Sequence, residues 1–372
     1  MLYFFLNGVF ILEISRFSVS VIVVNYNCHA TLQACIGSIL LSKNVGELLL
    51  VDNASTDDSM EPIKKYNDSR LKIISLNRNI GLAAARNLAA AKARYNYLAF
   101  TDADIAVDYH WLRYPCLLLE NHKEFGAVQC KLILSRQVDK IARSMKELDY
   151  YPSKDFPQEK LGSFYPILFP VGAAFVIRRQ AWDFVKGFDP VFFIGNDDVD
   201  LGIRLWLSGY EVLASSEGIV YHEFGTLRSQ KSVAPIFGFY GLRNMLYIWT
   251  KNLEGRTIVK QVFPFAFFLP FMAFRIGRIM GLKGVFSFIK NFKSILESRH
   301  EVQQLRKISD DRIIPMMHST GTLPIQLFTT DFRLLHKLIL RKTTALLRFF
   351  RKQKIGISKQ PAKSTNQAST LT

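Results

Sequence analysis

The chain has 372 residues, 49% hydrophobic and 21% charged, which excludes a disordered protein and allows one large domain with an appendage or two smaller domains. The formal net charge of +17 is local: residues 275–363 carry nineteen Lys and Arg against five Asp and Glu, a balance of +14, and the remainder is nearly neutral. Cys28, Cys35, Cys116 and Cys130 show neither CxxC pairing nor metal-ligand spacing, as expected of buried apolar thiols in a reducing compartment.

Residues 1–17 read as an apolar N-terminal extension. Its opening, MLYFFLNGVFIL, lacks the basic start and small-residue cleavage site of a secretory signal and is too short to span a bilayer, so it is expected to pack on the domain or touch lipid. The β-branched run Val19–Val24 predicts a buried parallel strand that ends in the polar loop Asn25-Tyr26-Asn27. Leu32, Cys35, Ile36, Ile39 and Leu40 then share one face of a helix. Strands are predicted over Leu48–Val51, running into Asp52, and over Lys72–Leu76. They are followed by an alanine-rich helix over Gly81–Ala93 and a strand over Tyr97–Thr101. This alternation predicts an α/β fold, a doubly wound, mostly parallel sheet with helices on both faces, whose ligands sit beyond the carboxyl ends of the strands. Asn25, Asp52 and Asp102 all fall at that edge. Residues 18–104 are the expected nucleotide-binding half and 105–250 the acceptor half, within which Phe169 to about Thr226 is less periodic and reads as rich in loops.

Chemistry concentrates in four places. Asp102-Ala103-Asp104 follows an apolar strand, so two carboxylates leave a strand end where hard oxygen ligands suit Mg²⁺ or Mn²⁺ and a diphosphate completes the shell. His222 ends the run Ile219-Val220-Tyr221 and is either structural or a third ligand to that ion. Asp197, Asp198 and Asp200 open a helix with apolar Leu201, Ile203, Leu205 and Trp206. Capping explains one acid, and the surplus suits a general base. Asn77-Arg78-Asn79-Ile80-Gly81 offers a cation, a glycine and a helix N-terminus, which is either a phosphate site or an ordinary turn, while Arg86 and Asn87, one to two turns farther on, either face the same crevice or cap nothing.

The stretches VSVIVVNYN (19–27), LLLVDNASTDDS (48–59), LNRNIGLAAARN (76–87), AFTDAD (99–104), VGAAFVIRR (171–179), GFDPVFFIGNDDVDLGIRLWLSGYEV (187–212) and VYHEFGT (220–226) resemble, in order and spacing, the inverting family 2 glycosyltransferases of GT-A fold, especially rhamnosyltransferase-like members. The resemblance covers roughly residues 18–250. It implies that Asn25 and Tyr26 border the nucleobase and that Asp52 bonds uracil or thymine. Arg78, Asn79, Gly81 and Arg86 then line the donor site with Asp102 and Ala103. It further implies that Asp102, Asp104 and His222 hold the divalent metal, Mn²⁺ or Mg²⁺, that Asp198 is the base, and that Asp197 holds the acceptor or positions that base. The expected partners are a UDP- or dTDP-linked sugar donor, with rhamnose suggested, and a glycan or lipid-linked acceptor of cell-surface polysaccharide synthesis. No QxxRW stretch is present, so one sugar per binding event is expected.

Residues 251–356 are a hydrophobic and basic helical region and 357–372 a disordered tail. The thirteen residues Val262–Phe274 are short of the roughly 20 that span a bilayer and read as re-entrant or interfacial, although a spanning helix starting near Ile258 stays open. Phe332–Lys354 alternates Leu and Phe with Arg and Lys, as an interfacial basic helix or one packed on the enzyme domain would. The expected location is therefore the cytoplasmic face of the cell membrane, peripheral or monotopic. Rival readings are a nucleotidyltransferase on a similar sheet, a basic nucleic-acid-binding protein and a non-catalytic membrane protein. Nucleic acid is not an expected partner, because the cations sit outside the α/β region and no nucleic-acid motif is present.

Overall fold

The structure, a computed structural model, describes residues 5–6, 9–10, 17–134, 164–223, 234–262 and 269–320, all within a compact unit spanning Met1–Leu323. Most of Met1–Phe17, the segment Phe332–Lys354 and the tail 357–372 lie outside the described residues. Of the N-terminal extension, β1 (Phe5–Leu6) and β2 (Val9–Phe10) pair with each other as a two-stranded antiparallel sheet.

The fold is organised by β3 (Val19–Asn25), every residue of which is buried. Its residues alternate between two cores: Ile22 and Val24 face one, and Val19, Val21 and Val23 face the other. This two-sided burial makes the strand read as a continuous apolar run. Helix α1 (Leu32–Leu41) covers one face with the five predicted side chains. Helix α2 (Leu82–Lys92) covers the opposite face through Ala83, Ala85, Ala89 and Ala90, whose small side chains seat it close to the sheet.

The strands β4 (Val45–Asp52), β5 (Leu71–Ser75) and β6 (Tyr97–Thr101) run parallel to β3, in the order β5-β4-β3-β6. Register places Asn25 opposite Asp52 and Asp52 opposite Ser75, so the polar carboxyl ends align along one edge. The sheet then becomes mixed. β10 (Ala174–Arg178) pairs antiparallel with both β6 and β8 (Phe125–Leu134), and β11 (Glu211–His222) runs parallel to β8. β7 (Ile105–Val107) and β9 (Phe164–Pro166) flank β11 antiparallel. The stretch 169–226, expected to be rich in loops, supplies two of the nine strands of this sheet among the described residues, β10 and β11.

Helices α3 (Arg113–Asn121) and α4 (Arg179–Phe184) precede α5 (Asp197–Leu207), whose Leu201, Ile203, Leu205 and Trp206 are buried as predicted. Gly202 fits where a Cβ would lie 2.4 Å from Phe169, so α5 packs directly on the backbone of that segment. Helix α6 (Ala234–Asn252) follows, with the helices Leu269–Lys290 and Phe292–Leu305 beyond it. Leu253, Ile295, Val302, Ile313 and Met317 join the same core as α2 and α5, so the described part of the C-terminal region packs on the α/β sheet. No helix among the described residues is long and apolar enough to cross a membrane.

Candidate active site

The turn between β6 and β7 carries Asp102 and Asp104, and β11 ends beside it because His222 pairs in register with Ile105. The imidazole Nε2 lies 3.2 Å from Asp104 Oδ1 and 3.8 Å from Asp102 Oδ2. One ligand atom from each of the three residues falls within 4.8 Å of the others. Burial alone would lower the proton affinity of His222, but the Asp104 and Asp102 carboxylates outweigh it and hold the imidazole above its usual pKa. Two carboxylates and an imidazole in one corner form a donor set that fits Mn²⁺ or Mg²⁺. Thr31 and Cys35 support the turn: Thr31 Oγ1 donates to the Ala103 carbonyl at 3.0 Å and Cys35 Sγ to the Asp102 carbonyl at 3.5 Å. Ala103 itself is buried and faces that support.

Arg86 links this corner to the second acidic group. It emerges from the middle of the alanine-rich α2 and is buried; Nη2 donates to Asp102 Oδ1 at 2.7 Å and to the Gly172 carbonyl at 2.8 Å, and Nη1 to Asp197 Oδ2 at 3.2 Å. Its guanidinium also sits 5.4 Å from the Phe188 ring centroid. Burial pushes the Asp102 and Asp197 carboxyls up in pKa, with the Arg86 charge acting against it at both.

The three acids of α5 separate into different roles. Asp197 is held by Arg86. Asp198 has no described cation partner within bonding distance: its Oδ2 accepts the Gly172 amide at 3.0 Å and its Oδ1 the Val199 amide at 2.8 Å. Burial raises the pKa of Asp198 despite those two bonds. Asp200 faces away into the protein, where Arg204 Nε at 2.8 Å, Lys251 Nζ at 2.7 Å and Asn252 Nδ2 at 2.9 Å surround it. It ties α5 to α6.

The nucleotide-side residues divide similarly. Asn25 is fully buried, and its Nδ2 donates to Ser55 Oγ at 2.9 Å and Ser59 Oγ at 2.8 Å, with a longer 3.5 Å contact to Asp52 Oδ1. It shapes the loop after β4, whereas Tyr26 beside it is exposed. Asp52 Oδ1 also accepts the Ser55 amide at 3.1 Å. Asn79 Oδ1 accepts from Asn53 Nδ2 at 3.0 Å and from the Gly81 amide at 2.9 Å, tying the β4 and β5 loops together. Arg78 is exposed. Gly81 has φ +87°, and a Cβ there would meet Phe193 at 2.7 Å. The next amide, that of Leu82, donates to the Phe193 carbonyl at 2.8 Å, so the first amide of α2 is engaged within the protein.

The sequence leaves the role of Asn87 open and gives none to Asn244, Lys251 or Gly172, all of which hold the site. Asn87 clamps Phe188 in both directions, donating to its carbonyl at 2.7 Å and accepting its amide at 3.0 Å. Asn244 of α6 donates to the carbonyls of Ile194 and Gly195, at 3.1 and 2.7 Å, and Lys251 Nζ reaches Asp189 Oδ2 at 2.7 Å. The loop that delivers Asp197 and Asp198 is thus pinned from α2 and α6. Gly172 has no room for a Cβ, which would lie 2.8 Å from Arg86 Nη1. Its one sequence signal is its place in the VGAAFVIRR stretch.

Residues 20–184 match the family described as Glycosyl transferase family 2. Among curated proteins, the chain is 42% identical over 88 residues to the UDP-Glc:alpha-D-GlcNAc-diphosphoundecaprenol beta-1,3-glucosyltransferase WfaP of Escherichia coli, covering 23% of this chain and 35% of that protein. It is 29% identical over 202 residues to the putative glycosyltransferase EpsE of Bacillus subtilis, covering 52% of this chain and 68% of EpsE. The chain therefore spans about a third of the length of WfaP and two thirds of that of EpsE. The solved structure of the mannosyltransferase PcManGT from Pyrobaculum calidifontis, in complex with GDP-Man and Mn²⁺, superposes with a TM-score of 0.48 at 14% identity, over 83% of this chain and 86% of that one.

Proposed function

We propose that the protein transfers a sugar from a nucleoside diphosphate sugar to a hydroxyl of a glycan or lipid-linked acceptor, with inversion in a single displacement. The observation that carries this reading is Arg86, which joins Asp102 of the carboxylate and imidazole corner to Asp197 of the α5 acids. It makes one polar site of two groups that the chain encodes far apart.

In this reading Asp102, Asp104 and His222 hold a divalent ion. When bound, that ion supplies positive charge to a departing diphosphate. Asp52 and Tyr26 meet the nucleobase, Asn25 keeps their loop in shape, and Arg78 and Asn79 border the donor. Asp198 takes the proton of the acceptor hydroxyl. A carboxylate has about four lone-pair sites, so after two backbone amides Asp198 can still accept that proton, and burial raises its basicity toward the range a general base needs. Asp197, fixed by Arg86, orients the acceptor. The donor class is UDP- or dTDP-linked, with dTDP-rhamnose among the candidates that the sequence resemblance supplies and UDP-glucose among those that WfaP suggests by name.

The test is a panel of UDP- and dTDP-sugars incubated with purified protein and Mn²⁺, reading nucleoside diphosphate release. Release should cease with EDTA and return with Mn²⁺ or Mg²⁺. Asp104→Ala should weaken donor affinity while leaving the melting temperature near that of the unaltered protein. Full activity in excess EDTA would overturn the metal role, and no nucleoside diphosphate release from the panel together with pyrophosphate release from a nucleoside triphosphate and a sugar 1-phosphate would make the protein a nucleotidyltransferase.

A further inference from the structure

The helix Leu269–Lys290 packs against α6, and a close backbone approach at Gly284 shows which side faces it. Gly284 sits where a Cβ would lie 2.4 Å from the Phe239 carbonyl oxygen, so this side of the helix touches the α6 backbone. Val285 and Phe288 flank it and pack on the main core, with the Phe288 ring 5.8 Å from that of Tyr247. At 3.6 residues per turn the opposite face must carry Ile279, Leu282, Phe286 and Ile289, spaced three, four and three apart. These side chains point outward: Ile279 is 65% exposed, Phe286 68% and Ile289 61%. Phe292 and Leu296 extend the exposed apolar surface into the next helix. A helix on a soluble protein normally turns its polar face outward, so this arrangement is inverted. Several large apolar side chains in a row, unlike single exposed ones, mark a contact surface.

The charge around the stripe selects the partner. Lys283, Lys290 and Lys293 are exposed beside it. From residue 255 to 296 the chain holds seven Lys and Arg and no Asp or Glu. A second copy docking through the same face would bring these lysines against their own images. An anionic lipid surface accepts both components, taking the Ile and Phe side chains below the headgroups while the lysines stay among the phosphates.

We propose that the outward face of the helix Leu269–Lys290 is a docking surface for an anionic bilayer, on which the helix lies flat. The exposed stripe from Ile279 to Ile289 lies outside the two segments, 262–274 and 332–354, to which the sequence points for lipid contact. It is also independent of the transferase reading, because binding is measured without any sugar nucleotide. The experiment is sedimentation of the full chain with vesicles of phosphatidylcholine alone and of phosphatidylcholine mixed with phosphatidylglycerol. The unaltered protein should sediment with the mixed vesicles and far less with the neutral ones. The triple variant Ile279→Ser, Phe286→Ser, Ile289→Ser should lose about tenfold or more of its partitioning. The double variant Lys283→Glu, Lys290→Glu should lose binding to the mixed vesicles in the same way, and it serves as the second probe if the triple variant misfolds. Unaltered melting temperatures show that the variants are folded. Sedimentation of either folded variant at the unaltered level overturns the proposal. So does a dimer, seen by light scattering, that the triple variant dissolves without any change in vesicle binding.

Discussion

Arg86 and Asp197 lie 111 residues apart in the chain and meet at 3.2 Å, while the other terminal nitrogen of the same guanidinium is 2.7 Å from Asp102. One buried cation therefore balances an acid from the β6 turn and an acid from the start of α5. Arg86→Met should leave the buried Asp197 and the half-buried Asp102 without their cation and cost about 3 kcal/mol of stability, read by denaturant unfolding. Arg86→Lys should recover part of the stability, because a single ammonium cannot reach all three acceptors that the planar guanidinium serves. Adding Asp197→Asn to Arg86→Met should restore some of the loss. A cost below about 1 kcal/mol for Arg86→Met would show that the bridge contributes no more than a surface pair.

The neighbours Asp198 and Asp200 should respond in opposite ways. Asp198→Asn keeps the size and one of the two bonds to backbone amides while removing the basic oxygen, so turnover should fall by about 10²–10⁴-fold with donor affinity retained. Asp200→Asn leaves Arg204 and Lys251 without their shared carboxylate. It should lower the melting temperature, while the molecules that remain folded keep most of their turnover. Kinetics and calorimetry on both variants check this, and near-normal turnover in Asp198→Asn would remove it as the base.

Gly172→Ala tests whether the Arg86 bridge needs its close approach to the backbone. The added methyl would sit 2.8 Å from Arg86 Nη1, and that nitrogen cannot yield without stretching its contact to Asp197. Overpacking of this kind costs about 1–3 kcal/mol. Because the Gly172 amide also holds Asp198, turnover should fall together with stability. A variant with unchanged melting temperature and kinetics would show that the loop accommodates the methyl.

Glu47 gives the expected pH dependence of stability. Burial raises its pKa, but hydrogen bonds from Lys72, the Arg94 amide, Ser20 and the Arg94 guanidinium outweigh burial and bring the carboxyl from 4.5 down to about 2. A carboxyl depressed on folding adds stability that is present above pH 4.5 and is lost as the pH falls toward 2. The contribution is on the order of 2–3 kcal/mol. Urea midpoints across that window should fall more steeply for the unaltered protein than for Glu47→Gln, and parallel curves would count against the assignment.

The sequence by itself determined the parallel half of the sheet and the edge at which the site forms. Val19–Val24 is apolar on both faces and the α1 face repeats at helical spacing, so local pattern and burial agree and nothing distant has to be known. The place of Asp102, Asp104 and His222 followed from the ends of their strands. What tertiary structure decided is which polar residues meet. Arg86 in an alanine helix has no local sign of its partners, because Asp102, Gly172 and Asp197 arrive from three other segments. The three acids of α5 look alike in sequence. They differ because the helix turns Asp200 toward Lys251 of α6, Asp197 toward Arg86 and Asp198 toward the Gly172 amide. The same holds for the helix Leu269–Lys290, whose apolar residues fall on every side, so that Gly284 decides which side faces the protein. Periodicity reports the burial of a face, and charge partners are set by contacts between segments that no local window contains.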